Sequence, residues 1–246
     1  MTRLADMTTD EVRALLDSGK MVCALVPVGS VEPHGPHLPL RTDTLISEHA
    51  CARAIARLAT HDVSAIVAPS VPYGVTDYAT GFAGAIGVPA EALTAFLRAI
   101  CTRFLAGGFR HVCLVNNHLE PAHDAAVRAA IEGLPKTNVS VACPLTRRWG
   151  RTLTEEYKRG NCHAGRYETS LALAAGVDVR AEYKQLPLIE TSLSEAIRAG
   201  KTTFAAMSLD RAYTGAPAEA TREEGEATYE KLAEMIATEV LEALAK

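Results

Sequence analysis

Residues 29–44, GSVEPHGPHLPLRTDT, decide how this chain is read. They follow MVCALVPV at 21–28, an unbroken apolar run short enough to be a buried strand and too short for a helix of the usual length. Glu32, His34, His37 and Asp43 therefore stand where a strand ends. Two more clusters have the same character. NNHLE at 116–120 closes the apolar run 112–115, and CHAGRYE at 162–168 lies further on.

Outward from that stretch, strand and helix patterns alternate. Residues 45–58 are Ala-rich and helical in spacing, and 63–68 form a β-branched strand. A long Gly/Pro/Thr loop covers 69–89. Its length inside a compact domain marks it as functional, and its low charge argues against disorder. Pro89 opens a helix in its first turn, Gly107-Gly108 closes it, and a strand at 111–115 follows. Pro121 starts a helix through Ile131, residues 138–143 read as a fourth strand, and 144–161, with Trp149 and several Arg, read as a candidate lid. Helical patterning resumes over 168–175 and again over 222–244, whereas 181–217 has no clear pattern. This alternation predicts a mostly parallel sheet with helices on both faces, and ligands in such sheets sit at the carboxyl ends of the strands.

Composition narrows the function. A chain of 246 residues with 48% hydrophobic content can bury a substantial core, and no linker divides it, so one domain over 1–246 is expected. A net charge of −4 without a basic stripe points away from nucleic acid and towards a small-molecule partner. The cysteines at 23, 51, 101, 113, 143 and 162 show no CxxC spacing and mostly sit in apolar runs, the pattern of reduced core thiols in a cytoplasmic protein. The N-terminal MTRLADMTTDEVRALLDSG reads as an amphipathic helix capped by Thr8 or Thr9, without the apolar block of a signal peptide, and no run approaches the roughly 20 residues needed to span a bilayer.

The three clusters carry the chemistry. Glu32 and His34 are two apart, as are His118 and Glu120, so in an extended segment each pair projects to one side. Carboxylate mixed with imidazole and without thiolate suits zinc or manganese in an open site. Asp43 is the candidate to bridge two ions, which could share one hydroxide, lower its pKa and polarise a substrate carbonyl. Any one such motif is weak; three strand or loop ends that each supply His with a carboxylate are hard to explain by core packing, which excludes unpaired charge. His49, His61 and His111 read as structural, with His37 and His123 as partners near the site.

With these residues in view, VPVGSVEPHGPHLPLRTDT resembles the signature of the creatininase family. NNHLE is similar to the family's Asn-Gly-His stretch, and HAGRYETSLALA to its His-Ala-Gly segment; YGVTDYATGFAGAIGV and TGAPAEATREEGE add further likeness, so the resemblance spans most of the chain. It implies a three-layer α/β/α sandwich, two divalent ions (zinc, manganese or iron) and a homo-oligomer, commonly a hexamer. It also implies that Glu32, Asp43 and His118 hold one metal and His34 and Asp43 the other, with either Glu120 or Glu168 completing the shell of the second metal. His163 becomes the proton shuttle over a leaving nitrogen, helped by Glu120. Thr76, Leu119 and Trp149 fall at substrate-contacting positions. Glu120 is kept where many peptidase-like relatives carry Gly, whereas Leu119 stands in place of the tyrosine of creatininase.

The expected function is metal-dependent hydrolysis of a C–N bond in a small amide: a cyclic amide such as creatinine, a formamide or a short peptide. The alternative is a non-hydrolytic protein that keeps the fold to bind a metabolite or a metal.

Overall fold

The computed structural model describes residues 3–246; Met1 and Thr2, the first two residues of the N-terminal stretch, lie outside the described residues. The remainder of that stretch folds as read. Thr8 caps α1 (Thr9–Leu16), its hydroxyl accepting from the Glu11 N–H while the Glu11 carboxylate accepts from the Thr8 N–H.

Strand β1 (Met21–Val28) is central in a four-stranded, all-parallel sheet of order β2-β1-β3-β4. Its neighbours are β2 (Val63–Val67) and β3 (His111–Asn116), and β4 (Val139–Ala142) pairs with β3 on the outer side. Parallel neighbours need crossovers, and helices supply them: α2 (Thr42–Ala59), α3 (Ala90–Ala106) and α4 (Pro121–Ile131). Alternating side chains of β1 then fill two separate cores. Cys23 and Leu25 pack with α2, with α7 (Arg166–Ala174) and with α9 (Arg222–Leu244). Val22, Ala24 and Val26 face α1, α3 and α4. This is the expected three-layer α/β/α sandwich, with a sheet that is parallel throughout.

Several expected boundaries move, and two of the shifts matter. Helix α2 begins at Thr42, not at 45, so Asp43 sits in its first turn. Helix α7 begins at Arg166, which puts Glu168 in a first turn as well. Acidic residues are favoured there because the unpaired N–H groups and the helix dipole offset their charge. Pro89 is the N-cap of α3 rather than a residue of its first turn, as its ψ of 143° shows. The 144–161 segment holds two short helices, α5 (Arg147–Gly150) and α6 (Glu155–Arg159). The unpatterned 181–217 region contains α8 (Leu193–Arg198), and here Ala196, Phe204, Met207, Leu209 and Ala212 form a small core of their own against Ala79 of the long loop. Local periodicity could not reveal this region because its apolar residues meet across loops. Among the described residues no helix is long and apolar enough to cross a membrane.

Helices α7 and α9 cross at Gly225, where an added Cβ would lie 1.9 Å from the Ser170 carbonyl oxygen and 2.7 Å from the Ala174 Cβ. A glycine inside a helix costs about 1 kcal/mol relative to alanine, so its presence reflects this close approach and not helix preference. Gly225→Ala should therefore destabilise despite its better propensity. A net loss of about 2 kcal/mol is expected, seen as a fall of roughly 4–8 °C in Tm by calorimetry; an unchanged or raised Tm would contradict the packing described.

Candidate metal centre

The ends of β1 and β3 lie side by side, Val28 opposite Asn116. The chain leaving β1 carries Glu32 and His34, and the chain leaving β3 carries His118 and then Glu120, the N-cap of α4. Gly29 makes this approach possible, because a Cβ there would lie 2.4 Å from the Thr44 backbone nitrogen at the start of α2. Asp43 thus comes up against both strand ends. Glu168 arrives from α7, and Glu32, His34, Asp43, His118, His163 and Glu168 are all buried.

Two backbone carbonyls fix the imidazoles. A carbonyl only accepts, so His34 Nδ1 donates to the Glu32 carbonyl at 3.1 Å and His118 Nε2 donates to the Val75 carbonyl at 2.7 Å. The remaining ring nitrogens then face carboxylates. His34 Nε2 is 3.1 Å from Asp43 Oδ1, 3.5 Å from Glu168 Oε2 and 3.7 Å from Glu32 Oε1. His118 Nδ1 lies 3.1 Å from Glu32 Oε1 and 3.1 Å from Asp43 Oδ2. With its other nitrogen tethered, a neutral imidazole would turn a lone pair on an anion, so the space between requires a cation or a second proton.

The proton affinities express that requirement. Burial alone would depress both imidazoles, yet the Asp43 and Glu168 charges raise His34 to about 10, and the Glu32 and Asp43 charges hold His118 well above its usual value. Burial pushes Asp43 up, but His34 and His118 outweigh it and hold the carboxyl low. For Glu168 burial dominates and the carboxyl is raised, in spite of His34 and the Ala164 N–H that reaches its Oε2 at 2.7 Å. Asp43 Oδ2 is buried with no hydrogen bond of its own.

Three sets of donor atoms converge, each within 4.8 Å of one another: Glu32, Asp43 and His118; His34, Asp43 and Glu168; and Glu32, His34 and His163. The first two share Asp43, which offers Oδ2 to one and Oδ1 to the other. Oxygen and imidazole donors in two such sets, with an orphaned carboxylate oxygen between them, fit a pair of divalent ions such as zinc or manganese.

Other expected residues lie around this cluster in different ways. Glu120 is outside all three sets; its carboxylate accepts the N–H groups of Asp77 at 3.1 Å and Tyr78 at 3.3 Å, and burial raises it to about 7. His163 donates Nε2–H to the Pro33 carbonyl at 3.1 Å, leaving Nδ1 3.8 Å from Glu32 Oε1, and burial lowers it to about 4. The next residue, Ala164, has φ +48°, a strained value for a non-glycine residue. Leu119 lines the cavity over the cluster. Thr76 does not: it is buried, with its hydroxyl bonded to Ser30. Trp149 also turns away, packing in the core beside α9 with its indole N–H on Glu239 at 2.7 Å. His123 packs edge-on against His118 and accepts the Val75 N–H, and His37 bonds Thr169 of α7. All six cysteines are free and buried.

The cavity measures about 700 Å³. Glu32, Asp43, His118, Glu120, His163 and Glu168 form its buried end. Leu119, Phe204 and Met207 contribute apolar wall, and the 144–161 segment and α8 surround the exposed end. Three contributors were not visible in the sequence. Phe204 packs on the His163 ring at a centroid distance of 4.6 Å, the 75–78 backbone orients His118 and Glu120, and Glu156 accepts N–H bonds from Arg166, Tyr167 and Ala216 and so fixes the start of α7. The only sequence signal was the length of the 69–89 loop.

A family model described as creatininase, creatinine amidohydrolase, matches residues 5–240. A mycofactocin precursor peptide peptidase of Mycobacterium tuberculosis is 35% identical over 166 residues, which cover 64% of this chain and 61% of that protein. The match thus spans somewhat under two thirds of the relative. A solved creatinine amidohydrolase (creatininase) superposes with a TM-score of 0.79 at 20% identity, covering 100% of this chain and 98% of that one. A creatininase structure described with manganese gives 0.77 at 22% identity, covering 100% and 99%.

Above about pH 6.5, where the depressed imidazoles of His163 and His37 no longer take a proton in either state, metal-free protein should lose stability as the pH rises. His34 and Glu168 both have folded pKa values raised above their unfolded ones, so the stability associated with their protonated forms is present at low pH. It is lost from about pH 4.5 upwards for Glu168 and between about 6.5 and 10 for His34. A divalent cation held by these residues would replace those protons. The gap in Tm between manganese-loaded and chelated protein should therefore widen from pH 6 to pH 9. A gap that stays constant or closes would contradict this account of the cluster.

Proposed function

The chain belongs to the creatininase family, and from this premise we propose that it is a metal-dependent amidohydrolase that cleaves a C–N bond of a small amide. One observation carries the reading: two buried imidazoles, each tethered through one nitrogen to a backbone carbonyl, direct the other nitrogen at a shared carboxylate. That arrangement leaves carboxylate charge that a cation would balance. Glu32, Asp43 and His118 would hold one divalent ion, and His34, Asp43 and Glu168 the other. Bound divalent ions would supply Lewis acidity towards a substrate carbonyl and lower the pKa of water towards neutrality.

The residues around the ions divide the remaining work. Glu120, raised by burial to about 7, can take or give a proton near neutral pH, and the Asp77 and Tyr78 N–H groups hold it in place. His163 is neutral, its Nε2–H committed to Pro33, so Nδ1 is the atom free to accept a proton and deliver it to a departing nitrogen. A protonated imidazole so buried gives up its proton readily. Phe204, against the same ring, excludes water from that side. The name of the mycobacterial relative favours a peptide amide, and that of the solved neighbour a cyclic amide such as creatinine; both fit the cavity volume.

Asp43→Asn removes the charge that both donor sets share. Elemental analysis should find less than the wild-type content of manganese or zinc, and amidase activity should vanish while circular dichroism stays native. A fully metallated, active variant would rule out the shared-carboxylate reading, and wild-type protein that takes up no transition metal on reconstitution would sink the enzyme assignment itself. His163→Ala should keep its metals and lose about 10² to 10⁴-fold in kcat, the usual contribution of acid–base catalysis. Loss of an ion from that variant would instead make His163 a ligand beside Glu32 and His34.

A further inference from the structure

We propose that the cavity selects amides bearing a free carboxylate, and that Arg147, Arg151 and Arg198 at its exposed end read that charge. The proposal rests on the amidohydrolase reading and names the substrate class for the same site. Its basis is how the cations are placed. All three arginines are exposed and line the cavity, whereas the carboxylates and imidazoles of the same cavity are buried. Among the described residues none of the three has a carboxylate within 4.0 Å, whereas Arg148 of the same segment pairs with Glu242.

Helix geometry explains the division within the 144–161 segment. Arg147 and Arg151 are four residues apart around the single turn of α5 and so share a face, while Arg148 is rotated away from them towards α9. Arg198 comes from the facing helix α8, with Nε bonded to the Ser194 carbonyl at 3.1 Å and its terminal nitrogens without a protein partner among the described residues. Lys158 also lines the cavity but already pairs with Glu155 at 2.7 Å.

Charge balance gives the sign of the ligand. Composition does not favour a positive surface in a chain of net charge −4, so the clustering is local. With two divalent ions bound there, the carboxylates of Glu32, Asp43, Glu120 and Glu168 would be matched in charge and would leave no anionic excess to attract a cationic substrate. The open guanidiniums then set the field at the mouth. A guanidinium is planar and offers paired N–H donors, a geometry that fits a carboxylate. Between mouth and floor, Leu119, Phe204 and Met207 provide apolar wall. The fitting molecule places its amide at the floor, an apolar side chain along the wall and a carboxylate at the mouth.

The test uses an uncleavable probe, so that binding is read apart from turnover. A leucyl-leucine analogue whose amide is replaced by a ketomethylene group is titrated calorimetrically into manganese-loaded protein, once as the free acid and once as the C-terminal carboxamide. Exposed ion pairs are individually weak, and three arginines together should favour the acid by about tenfold in Kd. Raising the salt should erode that preference in wild-type protein. The combined Arg147→Gln, Arg151→Gln, Arg198→Gln variant should bring it below about twofold, with metal content, Tm and carboxamide affinity unchanged. Equal affinity of the two probes, binding of neither, or a preference that survives in the triple variant or in high salt overturns the proposal. Wild-type protein that prefers the acid yet hydrolyses no amide would instead refute the amidohydrolase reading and leave the anion site standing.

Discussion

Burying Glu32, Asp43 and Glu168 together is the constraint on which the rest of this structure depends. Desolvating several carboxylates at once costs many kcal/mol unless positive charge meets them. The protein meets them from two directions. His34 and His118 face them directly, and Asp43 and Glu168 each stand in the first turn of a helix, where the dipole and the unpaired N–H groups favour an anion. The same arrangement gathers the oxygen and imidazole donors that suit a divalent cation.

Holding the cluster together is the task of the layer formed by α2, α7 and α9. Helix α9 packs along both α2 and α7, so the first turns bearing Asp43 and Glu168 share one support. Gly225 lets α7 approach closely, and Glu156 ties the start of α7 to the 215–216 backbone and to α6. On the opposite side, the register of β1 against β3 sets Val28 beside Asn116, and with it the positions of Glu32 and His118. A one-residue slip would exchange the two faces of the sheet and separate the donor sets. The cavity joins buried anions, apolar wall and exposed arginines in one lining.

Much of this was legible from local sequence, and the reason is in each case local. The apolar run at Met21–Val28 could only be a buried strand, Pro121 marked a helix start that the structure places at that residue, and the spacing in Arg222–Leu244 matched a helix packed on one face. The clustering of His with carboxylate at strand ends singled out Glu32, His34, Asp43, His118 and Glu168, which the fold does bring together. Thr76 and Trp149 illustrate the opposite case. The resemblance placed both at substrate-contacting positions, yet one hydroxyl turns to Ser30 and one indole to Glu239, partners too far away along the chain for spacing to reveal.

By itself, then, the sequence determined the alternation of strand and helix and the chemistry gathered at the strand ends, because hydrophobic period and residue type are properties of neighbouring positions. Only the tertiary structure sets Glu120 and Glu168 apart in position. The two carboxylates are equally plausible donors in sequence, but the N–H groups of Asp77 and Tyr78 hold Glu120 aside while α7 carries Glu168 to within 3.5 Å of His34. The same holds for Phe204 against His163 and for the arginines around the cavity mouth, which come from segments with no common pattern. Which groups meet across loops depends on helix directions and strand register summed over the whole fold, and no local window of sequence contains that sum.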